Sequence, residues 1–322
     1  MATATFPPIS QPESIVAEKF TEVPHEHRRN KISLFSHSHN KGKIMDSFLE
    51  GPIMVNGKLF VTDIAHGRIF AIDLATKEWT CFIEYDGQPN GMAYHPKRKL
   101  ILIADRKKGV LSLDPETKFL DTILDSFNGQ PFLGPNDLVV GGDGAIYFTD
   151  QGMTGLHEPV GRVFRHDPET GKTDVLLRNG PSPNGLMFDK EEGVLFVGMT
   201  RDNSVWHVPI FPDGTTQRAG RFSSYYGLGG PDGMTLDCDG NLFICVVRIG
   251  TIFVHKPDGT PLARIVMPEG VGVMGTNLTW SPNTDGGEGE GDTLYITESA
   301  SGTVLSVKWH TKGWLGKIYY EK

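Results

Sequence analysis

Four short segments of this chain are near copies of one another: PNGMAYH from Pro89, PNDLVVG from Pro135, PNGLMFD from Pro183 and PDGMTLD from Pro231. Each reads as a tight polar turn opening a short apolar strand, with Asn or Asp in second place. Adding EGPIMV at Glu50 and TNLTWS at Asn277, the pattern recurs at intervals of 40, 46, 48, 48 and 45 residues. Between recurrences lie a strand, a Gly-bearing hairpin, a second strand, a loop and a third strand. The Asp-Gly pairs at Asp143, Asp239 and Asp258 mark such hairpins. Short strands at a period of about 40–50 residues, without helical periodicity, predict an all-β, six-bladed β-propeller. A chain of 322 residues can hold this as one domain, 1–322, with blades over about 48–322. Part of the N-terminal segment 1–35 is expected to complete the last blade, closing the ring against the C-terminal GWLGKIYY.

Composition removes several classes of function. A net charge of -8 with no basic run argues against nucleic acid as a partner. No segment approaches the ~20 apolar residues of a membrane helix, and no signal-type apolar region opens the chain. Three scattered cysteines, Cys81, Cys238 and Cys245, suit inert thiols rather than a disulfide framework. A cytoplasmic protein is the expectation; the oligomeric state stays open.

Innermost strands of a propeller surround a central channel, so equivalent positions form a ring about its axis. The repeat puts Glu50, Asn90, Asn136, Asn184, Asp232 and Asn277 there. Asn and Asp also favour turns for local reasons, because their side chains satisfy nearby backbone groups. Glu50 has no such excuse, and six converging polar side chains are costly to bury unless something binds them. Carboxylates with amide oxygens suit a hard cation in the channel, Ca²⁺ first, with Mg²⁺, Mn²⁺ and Zn²⁺ as alternatives.

EGP at Glu50 with LFVTDI at Leu59, then PNDLVVGGDGAIYFTD, PNGLMF and PDGMTLDCDGNLFI, together resemble the senescence marker protein/gluconolactonase/luciferin-regenerating enzyme family. The resemblance covers roughly residues 48–309. It implies a six-bladed propeller with a catalytic divalent metal held by Glu50, Asn136, Asn184 and Asp232. It also implies Asp232 as general base or nucleophile beside Glu50, and leaves Asn90 and Asn277 to line the channel. The expected reaction is hydrolysis of a small-molecule lactone or ester, the metal polarising the carbonyl for attack by water. A phosphotriesterase using the same site, and a non-catalytic binding propeller with a structural ion, are the alternatives.

The chain departs from the family pattern at two points. Gly134 stands where sugar-lactone members carry Arg, and Met54 stands where an aromatic residue often follows EGP. Loops expected at the channel rim supply Phe132, Leu133, Met153, Leu156, Tyr226 and the VGVMG stretch at 271–275. Apolar walls of this kind favour an apolar or aromatic lactone over a simple sugar lactone. His157, on a long loop, is expected to face substrate. The substrate-binding candidates are therefore Asn90, Asn277, His157, Met54, Leu133, Met153 and Tyr226. HEHRR at 25–29 and SHSHN at 36–40 read as solvated segments outside the repeat.

Overall fold

The computed structural model of the protein describes residues 12–211, 213–284 and 289–320; residues 1–11 of the expected N-terminal segment lie outside the described residues. Runs such as KLFVTD and RIFAID are too short for helices, and their β-branched and aromatic residues fit pleated strands. They build six antiparallel sheets arranged as the blades of a propeller. The inner strands are Leu49–Val55, Pro89–His95, Pro135–Val140, Pro183–Phe188, Pro231–Asp237 and Gly275–Trp280. Apolar faces of neighbouring blades pack against one another. One buried cluster, for example, joins Tyr147 and Val163 to Leu186, Phe188, Val205 and Leu236.

The segment Glu18–Glu22 pairs antiparallel with Thr303–Lys308 and supplies the outer strand of blade six. The strand before it, Glu13–Val16, runs parallel to Pro261–Val266 on the outer edge of blade five. The C-terminal residues do something other than expected. Gly313–Trp314 pairs with the inner strand of blade five, and the turn Lys317–Tyr319 lies beneath the channel. There the Tyr319 hydroxyl donates to the Tyr94 carbonyl, and Leu315 and Tyr319 close a small cavity of about 80 Å³. The aromatic-rich tail thereby plugs the lower end of the channel.

The Pro-Asn-Gly segments are not turns. They lie inside the inner strands, and the glycines at 91, 185 and 233 do not adopt left-handed backbone. Their role is close approach. A Cβ on Gly91 would stand 2.7 Å from Asp137 Cα, one on Gly185 2.7 Å from Gly233 Cα, and one on Gly233 2.8 Å from Asn277 Cα. Gly51 likewise would meet the Asn90 carbonyl at 2.3 Å. Inner strands of adjacent blades therefore touch backbone to backbone at a waist formed by residues 51, 91, 137, 185, 233 and 277.

Side-chain hydrogen bonds fix the strands that meet there. Hydroxyls stitch four of the six blade junctions: Thr62 donates to Asn90 O (2.9 Å), Thr149 to Asn184 O (2.7 Å), Thr200 to Pro231 O (2.8 Å) and Thr276 to Leu49 O (3.0 Å). Carboxylates ending the second strands hold the entry to the inner ones. Asp63 accepts from Phe48 N, Asp105 from Gln88 N, Asp150 from Gly134 N and Glu298 from Met274 N.

The waist is testable by adding one methyl group. Gly91→Ala should cost about 1–3 kcal/mol in urea unfolding, the usual range for overpacking. Gly193→Ala, where an added Cβ meets nothing within 4 Å, should stay within about 0.5 kcal/mol. Equal effects at the two positions would refute the close-approach account.

Candidate active site

Strand register aligns the blades without reference to residue type. It pairs Leu49 with Asp63, Pro89 with Asp105, Pro135 with Asp150, Pro183 with Met199, Pro231 with Val246 and Gly275 with Glu298. One residue further along, the tier holds Glu50, Asn90, Asn136, Asn184, Asp232 and Thr276, all buried; the first five line the axial cavity, and Thr276 Oγ1 turns to Leu49 O. Five of these are the residues expected from the sequence. The sixth is not: Thr276 occupies the position, and Asn277 stands one residue below it. Matching TNL to PNG by its amide slipped the alignment by one, and in a strand one residue changes which way a side chain points.

Asn277 belongs instead to the waist, opposite Asp137. These are its two polar members, from blades three and six, and they meet across the channel with Asn277 Nδ2 3.2 Å from Asp137 Oδ2. Their local bonds match. The Asp137 and Asn277 N–H groups donate to Thr149 and Thr297 Oγ1 at 3.1 and 3.2 Å. Their side-chain oxygens accept from Leu138 N and Leu278 N at 2.9 and 2.8 Å. Glycines at 51, 91, 185 and 233 leave the room this pair fills. It divides the channel into the small lower cavity, lined by Met54, Met92, Met187 and Met234, and a larger upper one. Met54 thus faces away from the upper cavity, because it lies below the waist on its strand.

Hydrogen bonds around the upper tier dictate which atoms face inward. The Arg106 guanidinium, which can only donate, lies 2.8 Å from one terminal atom of the Gln151 amide, making that atom Oε1. Asn136 must then turn Nδ2 toward the same oxygen, at 3.0 Å, and its own Oδ1 away from it. Thr200 spends its proton on Pro231 O, so its oxygen accepts from Asn184 Nδ2 at 3.2 Å, again directing Oδ1 the other way. A third amide, Asn90, has its Oδ1 buried without a hydrogen-bond partner among the described residues. Two carboxylates complete the set. Burial, then the charge of Asp137, pushes Glu50 up to about 8. Burial, then the charges of Glu50 and Asp137, pushes Asp232 well above the usual carboxylate range.

Such a group of acceptors is unfavourable as it stands. A hard divalent cation would offset the cost, and two carboxylates with amide oxygens are donors it prefers. Glu50, Asn136, Asn184 and Asp232 would hold it. Among the described residues no three His, Cys, Asp or Glu side chains gather as a metal cluster, so the site depends on its amides.

The upper cavity measures about 510 Å³. Its walls include Phe35, Phe48, Ile64, Leu156 and Met274, and it also takes in Asn90, Met153 and His157. Leu133 and Tyr226 are not among its walls. Both are exposed, Tyr226 to 92%, on loops turned outward. Phe132 packs between strands against Phe148 and Phe164. The SHSHN segment is not simply solvated. Ser33 caps a short helix, Leu34–His39, that brings Phe35, Ser38 and His39 to the cavity. His39 stacks on Phe35, and burial, then Arg106, lowers it to about 4. Sequence reasoning also missed the tier just above the ring, the residues following the six second strands. The same repeat arithmetic finds them: Ile64, Arg106, Gln151, Thr200, Val247 and Ser299.

Fold and cavity together define a class, six-bladed propellers with an oxygen-lined axial site. Residues 48–300 match the SMP-30/Gluconolactonase/LRE-like region, and the chain belongs to that family. Gluconolactonase of Zymomonas mobilis is 33% identical over 241 residues, spanning 70% of this chain and 64% of its own length. Lactonase drp35 of Staphylococcus epidermidis is 29% identical over 221 residues, spanning 66% of this chain and 67% of its own. Among solved structures, the calcium-binding protein regucalcin from Agrobacterium tumefaciens superimposes with a TM-score of 0.73 at 18% identity. That match spans 96% of this chain and 99% of the other. Luciferin-regenerating enzyme gives 0.70 at 16% identity, over 84% and 94%.

The buried carboxylates set a pH dependence for the metal-free protein. A raised folded-state pKa means the folded chain binds more protons than the unfolded one. The stability this provides is full below the unfolded value and is lost as pH rises through about 8 for Glu50. In chelator, the melting temperature of the wild type should therefore fall relative to Glu50→Gln between about pH 5 and about pH 8. Histidine titrations are common to both proteins and cancel. Parallel curves would refute the burial of an uncompensated charge at Glu50.

Proposed function

We propose that this chain opens a lactone ring by hydrolysis with the help of a divalent cation, Ca²⁺ in the first instance, held by Glu50, Asn136, Asn184 and Asp232. Membership of the family makes the chain a hydrolase of the lactonase class. The observation that carries the metal reading is the forced orientation of Asn136 and Asn184, whose amide nitrogens are engaged elsewhere so that their oxygens are left for a cation. When bound, the cation polarises the lactone carbonyl and offsets charge developing on its oxygen.

The protein's own groups do the rest. Asp232 acts on the attacking water as general base, or on the carbonyl carbon as nucleophile. Glu50 holds its place through Gly51 N, which donates to Oε2 at 2.7 Å. With Asp232 as base, the water oxygen adds to the carbonyl carbon as Asp232 takes its proton, and the adduct then expels the ring oxygen, which receives that proton and leaves as an alcohol beside the new carboxylic acid. With Asp232 as nucleophile, the ring C–O bond breaks as the Asp232 ester forms, and water then hydrolyses that ester. Phe35, Phe48 and Ile64 give the upper walls an apolar face, which supports an apolar or aromatic lactone body. Asn90 and His157 are the polar groups within reach of such a substrate, and Met153 lies at its rim.

Proton release at constant pH over neutral aromatic and sugar lactones, in EDTA and after restoring each metal, tests this directly. Ring opening of the aromatic lactone that needs the metal is expected; silence across the panel with metal bound would overturn the reading. Asp232→Asn should lower kcat by about 10²–10⁴-fold, the range for loss of an acid–base group. Glu50→Gln should weaken metal affinity by at least the roughly tenfold that changes behind a ligand already cost. An unaltered metal titration in Glu50→Gln would remove it from the ligand set.

A further inference from the structure

We infer that the lactone carries a carboxylate, and that Arg106 receives it. The inference rests on the lactonase reading and adds the charge of the substrate to it. Of the six side chains in the tier above the ring, five are neutral, and Arg106 is the one cation. Its side chain is half-buried beside the cavity, and desolvation lowers it only to about 10, so it stays charged at neutral pH.

Two arginines elsewhere in this propeller, buried Arg68 and half-buried Arg162, have carboxylate partners. Arg68 makes two bonds to Asp63 Oδ2, at 3.0 and 2.6 Å, and Arg162 two to Asp150 Oδ2, at 2.9 and 2.5 Å. Arg106 differs. Among the described residues it makes no ion pair, and its side chain makes one hydrogen bond, to the neutral Gln151 amide. The nearest acids are engaged elsewhere: Asp150 by Arg162, and Asp105 by the Tyr85 hydroxyl and three backbone N–H groups. A half-buried guanidinium that lines a cavity without an anion beside it is placed to take one from a ligand.

The charges around it agree. Arg201 and Arg248 also line the upper cavity, and among the described residues the only acidic side chains in its walls are Glu50 and Asp232. A divalent cation neutralises those two, leaving a cavity whose remaining charges are positive and which concentrates anions. The planar guanidinium fork matches a carboxylate in geometry as well as charge.

The test compares 3,4-dihydrocoumarin with a carboxylate-bearing congener, in the metal-loaded wild type and in Arg106→Gln. Loss of metal would slow both congeners alike, so the ratio of their kcat/KM values reads the anion contact alone. The wild type should favour the carboxylate at least about tenfold, and Arg106→Gln should erase that preference. No preference in the wild type, or one that survives Arg106→Gln, overturns the inference and leaves the lactonase reading standing. If neither congener opens, the lactonase reading fails and binding decides the inference. Calorimetry with the ring-opened dicarboxylate should then show affinity at least about tenfold weaker in Arg106→Gln, and equal affinity overturns the inference.

Discussion

Contact between the backbones of neighbouring blades at the waist is the constraint on which the rest of this structure depends. Where a Cβ would fall within 2.7 or 2.8 Å of the next blade's Cα, only glycine lets the strands converge so tightly. The residue before each waist position is thereby drawn toward the axis, whatever its identity. The tier of Glu50, Asn90, Asn136, Asn184, Asp232 and Thr276 is a consequence of that convergence. Threonine hydroxyls then lock neighbouring strands in register, so the donors are placed by main-chain geometry rather than by flexible loops.

A site built this way concentrates charge it cannot itself balance. Glu50, Asp137 and Asp232 are buried together, and burial is the leading cause of the upward shift at each. The surrounding polar groups make the arrangement worse without a cation and better with one. Arg106 fixes Gln151, Gln151 fixes Asn136, and Pro231 O fixes Thr200 and through it Asn184. Each chain ends with an oxygen turned from its neighbours. A cation entering there would meet an organised set of acceptors and require little rearrangement, which is what preorganisation means in energetic terms.

Much of this was legible in the sequence, because a propeller repeats its geometry as well as its residues. The period gave the blade count, and the polar residue after each Pro or Leu gave five of six ring positions. What the sequence did not disclose has physical reasons. The Asn-Gly pairs look like turns, yet here Asn supplies an inward oxygen and Gly permits close approach, two demands that share one dipeptide. Asn277 resembled a ring residue because amide type was matched without register. Thr276 serves as a stitching hydroxyl, which no amide motif would reveal. Met54, Leu133 and Tyr226 were judged by polarity alone, and polarity does not say on which side of the waist, or of a loop, a side chain falls. The helix Leu34–His39 and the C-terminal plug lie outside the repeat, so periodicity could not assign them to the two ends of the channel.

The account's central claim is that the axial tier of carboxylate and amide oxygens is a cation site. Anomalous X-ray diffraction from crystals of the wild-type protein grown with Mn²⁺ tests it most directly. The account predicts the strongest anomalous peak on the channel axis, within bonding distance of Glu50, Asn136, Asn184 and Asp232 and above the Asp137–Asn277 pair. An axis without such a peak, in crystals whose protein binds Mn²⁺ elsewhere or not at all, would contradict it.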